Sequence, residues 1–418
     1  MSAKPLIPVC QICGHKAHWL GGHLLSEHNM TVEEYLTAHE GAETISEEAL
    51  AKFNARRKRR VHPPALEDLK VNWCGIPFAV NTKVPASATA PLPAYYTPPK
   101  YGLQGQAVKR VALCLRRNKP IFVHGIAGTG KDAFFQAWAH WTGTPCLMVQ
   151  INPDVDFSKY LFSHEIGPEG TYYKEGSLLK ALRDGYTDSE GGVHPYLIIL
   201  TDLDRCTPEQ GEHLRLILDS IEGRIQRPDG GVDKVLKGTR IVATANSTGS
   251  GAGGGGRYAS AQVMDASILS RFTFKFEYKT LDWRDEEPIM MSKFPLLARH
   301  VPRMFTHKDE NNRTVESRVG LVTKTLREKV KEGIIELEFG HRELSAWLEY
   351  AEILVEFAIE TEGKIPEKLL AEAFTVILES IPVEDRGAIE RLVNVHFTGG
   401  LLDEGDVSHI SAGELHTI

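Results

Sequence analysis

Residues 120–135 read PIFVHGIAGTGKDAFF, and this stretch decides the fold. An apolar run, Ile121 to Val123, ends at Gly125, and Gly125 to Lys131 spell G-x-x-x-x-G-K before an apolar helical pattern begins. Glycines let the backbone turn so sharply that successive N–H groups aim at phosphate oxygens. The helix that follows adds its positive N-terminal end, and the lysine that closes the motif reaches the outer phosphates. Gly125, Ala127, Gly128, Thr129, Gly130, Lys131, Asp132 and Ala133 are therefore the expected phosphate-binding segment. The residue after the lysine normally carries a hydroxyl that binds Mg²⁺, but here it is Asp132.

Working outward, further buried-strand patterns occur at CLMVQIN (146–152), YLIILTD (196–202) and RIVATAN (240–246), with helical patterns between them. Strands alternating with helices predict an α/β fold, a parallel sheet covered on both faces. Beyond about residue 280, LSAWLEYAEILVEFAIE and EKLLAEAFTVILESI repeat apolar residues at helical spacing and predict a helical lid. The expected organisation is a small metal module over 1–50, a basic and Pro-rich linker over 51–98, an αβα nucleotide-binding domain over 99–280, a lid over 281–385 and a tail over 386–418.

A second acidic motif, TDLDRCTP, begins at Thr201 at the end of an apolar strand. Two registers are open. Asp202 is the metal-side acid with Asp204 two residues on, or Thr201 and Asp202 occupy the metal and water-orienting positions. In the second register, the first motif has exchanged a hydroxyl for Asp132 and the second a carboxylate for Thr201. One hydroxyl and one carboxylate then still serve Mg²⁺, through Asp132, Thr201 and Asp202. A degenerate site that binds nucleotide without turning it over is the other reading. Asn246 ends a strand where a polar group senses the γ-phosphate. Arg271 ends the helical DASILSRF segment, suited to reach a neighbouring subunit's phosphate, and Arg342 opens the first long lid helix. Asp202, Asn246, Arg271 and Arg342 are the expected catalytic set, acting on ATP.

These residues together resemble the MoxR branch of AAA+ ATPases. Within it the likeness is to the CobS-type ATPase subunits of aerobic cobaltochelatase, over about residues 95–380. It rests on GIAGTGK, TDLDR, the stretch ATANSTGSGAGGGGRYASAQ running into ILSRF, and HRELSAWLEYAEIL. The resemblance implies a ring, usually a hexamer, with ATP at the subunit interfaces. It also implies a partner bearing a von Willebrand-type domain, and remodelling of a third protein. Inserted hairpins are implied near 160–178 and 248–256.

At the N-terminus Cys10, Cys13, His23 and His28 give C-x2-C-x9-H-x4-H, a donor set for tetrahedral Zn²⁺. His15 and His18 are spare donors. The spacing and the following HNMTVEEYLTAH resemble the Ros/MucR type of bacterial zinc finger, whose members bind DNA. The run Arg56 to Arg60 is a candidate phosphate-neutralising patch, while Glu33, Glu34, Glu40, Glu43, Glu47 and Glu48 argue for protein docking instead.

Formal net charge of −7 excludes a surface that coats nucleic acid as a whole. The sequence lacks an apolar run of membrane-spanning length and a signal-peptide layout, and its C-x-x-C suits a reducing compartment. A cytoplasmic protein is the expectation.

Overall fold

The computed structural model describes residues 7–46 apart from a few positions, then 49, 69–167, 170–219, 224–227, 230–249, 262–335, 339–379 and scattered positions to 393, with single gaps at 310, 362 and 367. The arginine-rich run, most of the glycine-rich stretch and the tail after 393 lie outside the described residues. The chain divides into two compact units, Met1–Leu69 and Lys70–Ile418.

The first unit holds two short helices, Gly21–His28 and Val32–Ala38. Thr31 caps the second helix, accepting from the Glu34 N–H while the Glu34 carboxylate accepts from the Thr31 N–H. Reciprocal satisfaction of these otherwise orphaned donors fixes the helix start. Its core among the described residues is Cys10, Leu20, Leu24 and Tyr35. So little buried apolar area needs a covalent or metal staple to hold a fold.

The second unit opens with an antiparallel hairpin, β1 (Lys70–Trp73) and β2 (Ile76–Ala79). It falls inside the stretch read as linker, yet Trp73, Ile76 and Phe78 are buried. Trp73 packs on Phe134 at 5.6 Å between ring centres, and Phe78 on Trp138 at 5.5 Å. The hairpin thus covers the helix Lys131–Thr142.

The central sheet comprises β3 (Ile121–His124), β4 (Cys146–Gln150), β9 (Leu197–Thr201), β12 (Arg240–Ala245) and β13 (Phe274–Glu277). Its order is β13-β3-β12-β9-β4, with every pairing parallel. Strand side chains alternate between faces. Ile121, Val123, Leu197, Ile199 and Val242 join the core beneath the Lys131–Thr142 helix. Phe122, Ile198, Leu200, Ile241 and Ala243 join the core on the opposite face. The four strands expected from sequence are present. The fifth, β13, was missed because FKFE alternates apolar with charged residues and sits at the sheet edge beside β3.

Three hairpins are inserted between sheet strands: β5–β6 (Phe162–Gly167, Gly170–Glu175), β7–β8 (Tyr186–Thr187, Val193–His194) and β10–β11 (Arg224–Gln226, Val232–Lys234). The first lies where a hairpin was expected, near 160–178; the second and third were not expected. Residues 283–378 form mainly helices, including Trp283–Lys293, Arg318–Lys331 and His341–Glu360. They surround a core containing Phe339, Trp347 and Phe374, with one small hairpin, β14–β15 (His307–Lys308, Thr314–Val315).

Candidate nucleotide site and metal centre

Strand order sets the site. β3, β12 and β9 are successive neighbours, so the loops leaving their C-terminal ends meet at one edge of the sheet, the place where open α/β sheets bind ligands. The cavity there is about 570 Å³. Ala127, Gly128, Gly130, Lys131, Asp132, Ala133, Asp202, Thr244, Asn246, His341 and Arg342 all line it. Gly125 and Thr129 shape the loop behind the cavity. The Gly125 N–H donates to Ala245 O of β12 at 3.2 Å, and Thr129 Oγ1 donates to Ile126 O at 2.9 Å. Gly128 and Gly130 have φ of +75° and +77°, values that L side chains rarely adopt.

The Lys131 ammonium donates to Gly125 O at 2.7 Å, Ile126 O at 2.8 Å and Asn246 Oδ1 at 3.1 Å. It thereby ties the phosphate loop to the end of β12. Asp132 accepts from Thr244 Oγ1 at 2.5 Å. Burial pushes the Asp132 carboxyl above its usual range. The Thr244 bond, Lys131 and Arg342 pull against burial, while the charge of Asp202 adds to it.

Asp202 leaves β9 in the left-handed region, φ 55°, and accepts from Gln150 Nε2 at 3.0 Å. Such a conformation in a residue other than glycine is uncommon and concentrates at functional positions. Asp204 has a different task. It is buried, and Oδ2 accepts from the N–H groups of Asn246 at 3.1 Å and Ser247 at 2.9 Å, fixing the turn that presents Asn246. Thr201 is buried opposite Gln150 and does not line the cavity. The hydroxyl beside Asp132 belongs to Thr244, which the sequence reading passed over. A signal existed: Thr244 lies two residues before Asn246 at the end of an apolar run, and both line the cavity.

The lid closes one side. Gly340 donates its N–H to Glu343 Oε2 at 2.8 Å at the start of the helix His341–Glu360. A Cβ at Gly128 would meet the main-chain nitrogens of Arg342 and His341 at 3.5 and 3.6 Å. The positive end of a second helix therefore rests on the phosphate loop. Arg271 is not brought to this cavity. It lines a separate groove of about 760 Å³ with Arg215, Arg227, Glu212 and His213, and donates from Nη1 to Ser267 O at 2.7 Å.

In the first unit, one donor atom from each of Cys10, Cys13, His23 and His28 lies within 4.8 Å of the others. Cys13 Sγ is 3.1 Å from His23 Nε2 and 3.3 Å from His28 Nε2, and Cys10 Sγ is 3.6 Å from His28 Nε2. Metal bonds of about 2.0–2.3 Å in a tetrahedron give ligand separations in this range, so the donor set fits Zn²⁺. The spare histidines are occupied otherwise. His15 stacks on His23 at 4.1 Å, and His18 Nδ1 lies 2.9 Å from Ser46 Oγ. The Gln11 N–H donates to Tyr35 Oη at 2.8 Å, tying the Cys10–Cys13 knuckle to the second helix.

Residues 120–272 match the AAA domain of the dynein-related subfamily. Among curated proteins, the denitrification regulatory protein NirQ of Stutzerimonas stutzeri is 28% identical over 103 residues, 25% of this chain and 36% of that protein. NirQ of Pseudomonas aeruginosa is 30% identical over 87 residues, 21% of this chain and 34% of that protein. The chain thus spans about a third of the length of these relatives. Among solved structures, NtrX from Brucella abortus in complex with ADP aligns with 93% of this chain and 74% of that chain, at 14% identity and a TM-score of 0.42. Residues 120–272 thus match an AAA domain on a P-loop α/β fold, similar in part to the NirQ proteins, and the chain also carries an N-terminal Cys/His cluster. No helix among the described residues is long and apolar enough to cross a membrane.

Proposed function

We propose that this protein is a ring ATPase that couples Mg²⁺-dependent ATP hydrolysis to remodelling of a partner protein complex, with the zinc module as its recruitment arm. The observation that carries the reading is the convergence of Lys131, Asp132, Asp202, Asn246 and Arg342 on one cavity between sheet and lid. Lys131 and the two helix N-termini bind the phosphates. Asn246 meets the γ-phosphate, and Arg342 neutralises charge from the lid. Asp132, Thr244 and Asp202 are the groups suited to hold Mg²⁺, which would supply positive charge against the phosphates. Thr244 takes the hydroxyl role that the sequence assigns to Thr201. Asp202 orients the attacking water.

Arg271 lies apart from its own chain's cavity, which supports a role in trans at a subunit interface, in a ring such as a hexamer. The CobS-type likeness extends the proposal to a partner with a von Willebrand-type domain. The Ros/MucR likeness of the zinc module leaves protein or DNA as its target. Six cysteines without a disulfide support a cytoplasmic setting.

The test is phosphate release by the purified full chain with ATP and Mg²⁺, together with its mass in solution with and without nucleotide. Turnover by a nucleotide-dependent assembly, cut about a thousandfold by Arg271→Ala, supports the reading. A monomer in the presence of ATP overturns the ring. Assembly without phosphate release replaces the motor with a nucleotide-gated scaffold.

A further inference from the structure

The lid contains a buried charge cluster that reaches the nucleotide cavity. Glu286, on the helix Trp283–Lys293, has no exposed surface. Arg327, on the helix Arg318–Lys331, grips it with two bonds, Nη1 to Oε2 at 2.8 Å and Nη2 to Oε1 at 3.0 Å. Arg327 Nε also donates to Phe339 O at 2.9 Å, which locks the guanidinium plane. Oε1 of Glu286 lies 3.0 Å from Nδ1 of His341. Burial opposes the charge on Glu286, but Arg327 and the hydrogen bonds from His341 and Arg327 outweigh it and hold the carboxyl below its usual range. Glu286 is thus an anion that fixes one imidazole nitrogen.

His341 is the first residue of the helix that rests on the phosphate loop, and it lines the cavity. With Nδ1 committed to Glu286, Nε2 is the nitrogen left to serve a ligand. Arg327 already neutralises Glu286, so a proton on His341 adds net positive charge. A neutral ring that donates from Nδ1 presents a lone pair at Nε2, which repels phosphate. The protonated ring presents an N–H instead.

We infer that His341 is a second cation of the lid, donating from Nε2 to the nucleotide's phosphates, so that nucleotide binding takes up a proton at this ring. Glu286 and Arg327 are positioning residues that aim it. The inference rests on the nucleotide-site reading. Glu286, paired with Arg327, lies against the ring, and Lys131, Asp132, Asp202 and Arg342 line the same cavity. Charges of both signs therefore face the cavity. Several phosphate charges arriving beside Nε2 tip this balance toward the imidazolium.

The experiment is calorimetric titration of the full chain with ADP, from about pH 6 to 8.5, in buffers of different ionisation heat, which counts protons taken up per ADP bound. Wild type is expected to take up several tenths of a proton more than His341→Gln at some pH in this range. The affinity gap between them should reach about tenfold at the acidic end and close at the alkaline end. His341→Lys should keep tight binding without the extra uptake, a result that a merely structural histidine would not give. Glu286→Gln should bind ADP with the uptake diminished; if that variant does not fold, the His341 variants decide. Equal proton counts and parallel affinity profiles for wild type and His341→Gln overturn the inference while leaving the nucleotide site standing. Absence of ADP binding by wild type overturns the nucleotide site itself.

Discussion

Thr244 Oγ1 donates to Asp132 Oδ1 across 2.5 Å, joining the helix that follows the phosphate loop to the strand that leads into Asn246. The pair puts a carboxylate and a hydroxyl side by side where a P-loop normally offers a hydroxyl alone. A hard cation such as Mg²⁺ prefers oxygen ligands and is bound through few protein groups. Asp132→Ser should therefore lower Mg²⁺-dependent phosphate release by about tenfold or more, and Thr244→Val should lower it in the same direction. Steady-state assays over a Mg²⁺ series check this; unchanged or improved turnover in Asp132→Ser would remove Asp132 from the metal site.

The same carboxyl carries a stability signature. Burial, as the largest cause, raises its pKa in the folded chain. Its favourable contribution is then present below the unfolded-state pKa and is lost as pH rises through the folded value. Asp132→Asn keeps an oxygen to accept the Thr244 bond and removes the buried charge. The nucleotide-free variant should melt higher than wild type at neutral pH, with the advantage shrinking toward pH 4. Melting curves across pH, with no nucleotide added, measure it.

Asp202 sits at the cavity with its backbone in the left-handed region, whereas Asp204 is consumed by two main-chain N–H groups. Asp202→Asn should keep ADP binding and slow phosphate release by about a hundredfold, the scale of a lost general base. Asp204→Asn should behave differently. It weakens the turn holding Asn246 and Ser247, so nucleotide affinity and melting temperature should fall together. Equal phenotypes for the two variants would contradict the division of labour.

Removing one partner of the Glu286–Arg327 pair leaves a buried charge uncompensated. Arg327→Met should cost about 3–5 kcal/mol, more than replacing both residues with apolar ones. Because the folded-state pKa of Glu286 is lowered, its stabilisation is present above the unfolded pKa and lost as pH falls through the folded value. The acid limb of the stability profile should flatten in Glu286→Gln. Denaturant melts between pH 3 and 7 report both effects.

The small first unit should hold one zinc per chain, lost in Cys10→Ser. Metal stabilisation on the order of 10 kcal/mol is typical of such sites, far more than the four buried apolar side chains among its described residues supply. A chelator should unfold residues 7–46 and leave the melting of the 70–418 unit unchanged. Elemental analysis with circular dichroism tests this; full zinc occupancy in Cys10→Ser would reassign the ligands.

Much of this was legible in the residues. G-x-x-x-x-G-K has few backbone solutions, so the phosphate loop, the strand before it and the helix after it followed from sequence. Four buried strands announced themselves as apolar runs, the C-terminal helices as a helical period, and the Cys/His cluster as a spacing. What these readings share is locality: each depends on neighbours within a few positions. Partnership across the sheet is a different matter. Thr201 and Thr244 both end buried strands, and nothing local says which hydroxyl faces Asp132. Strand order places β12 beside β3, and the face of β12 on which Thr244 emerges brings it to the carboxylate. Likewise Glu286, Arg327 and His341 lie on three separate helices, 55 positions apart from first to last, and read singly as ordinary helix surface charges. Only folding these helices around their aromatic core brings the three side chains together, and the burial of Glu286 is what couples them.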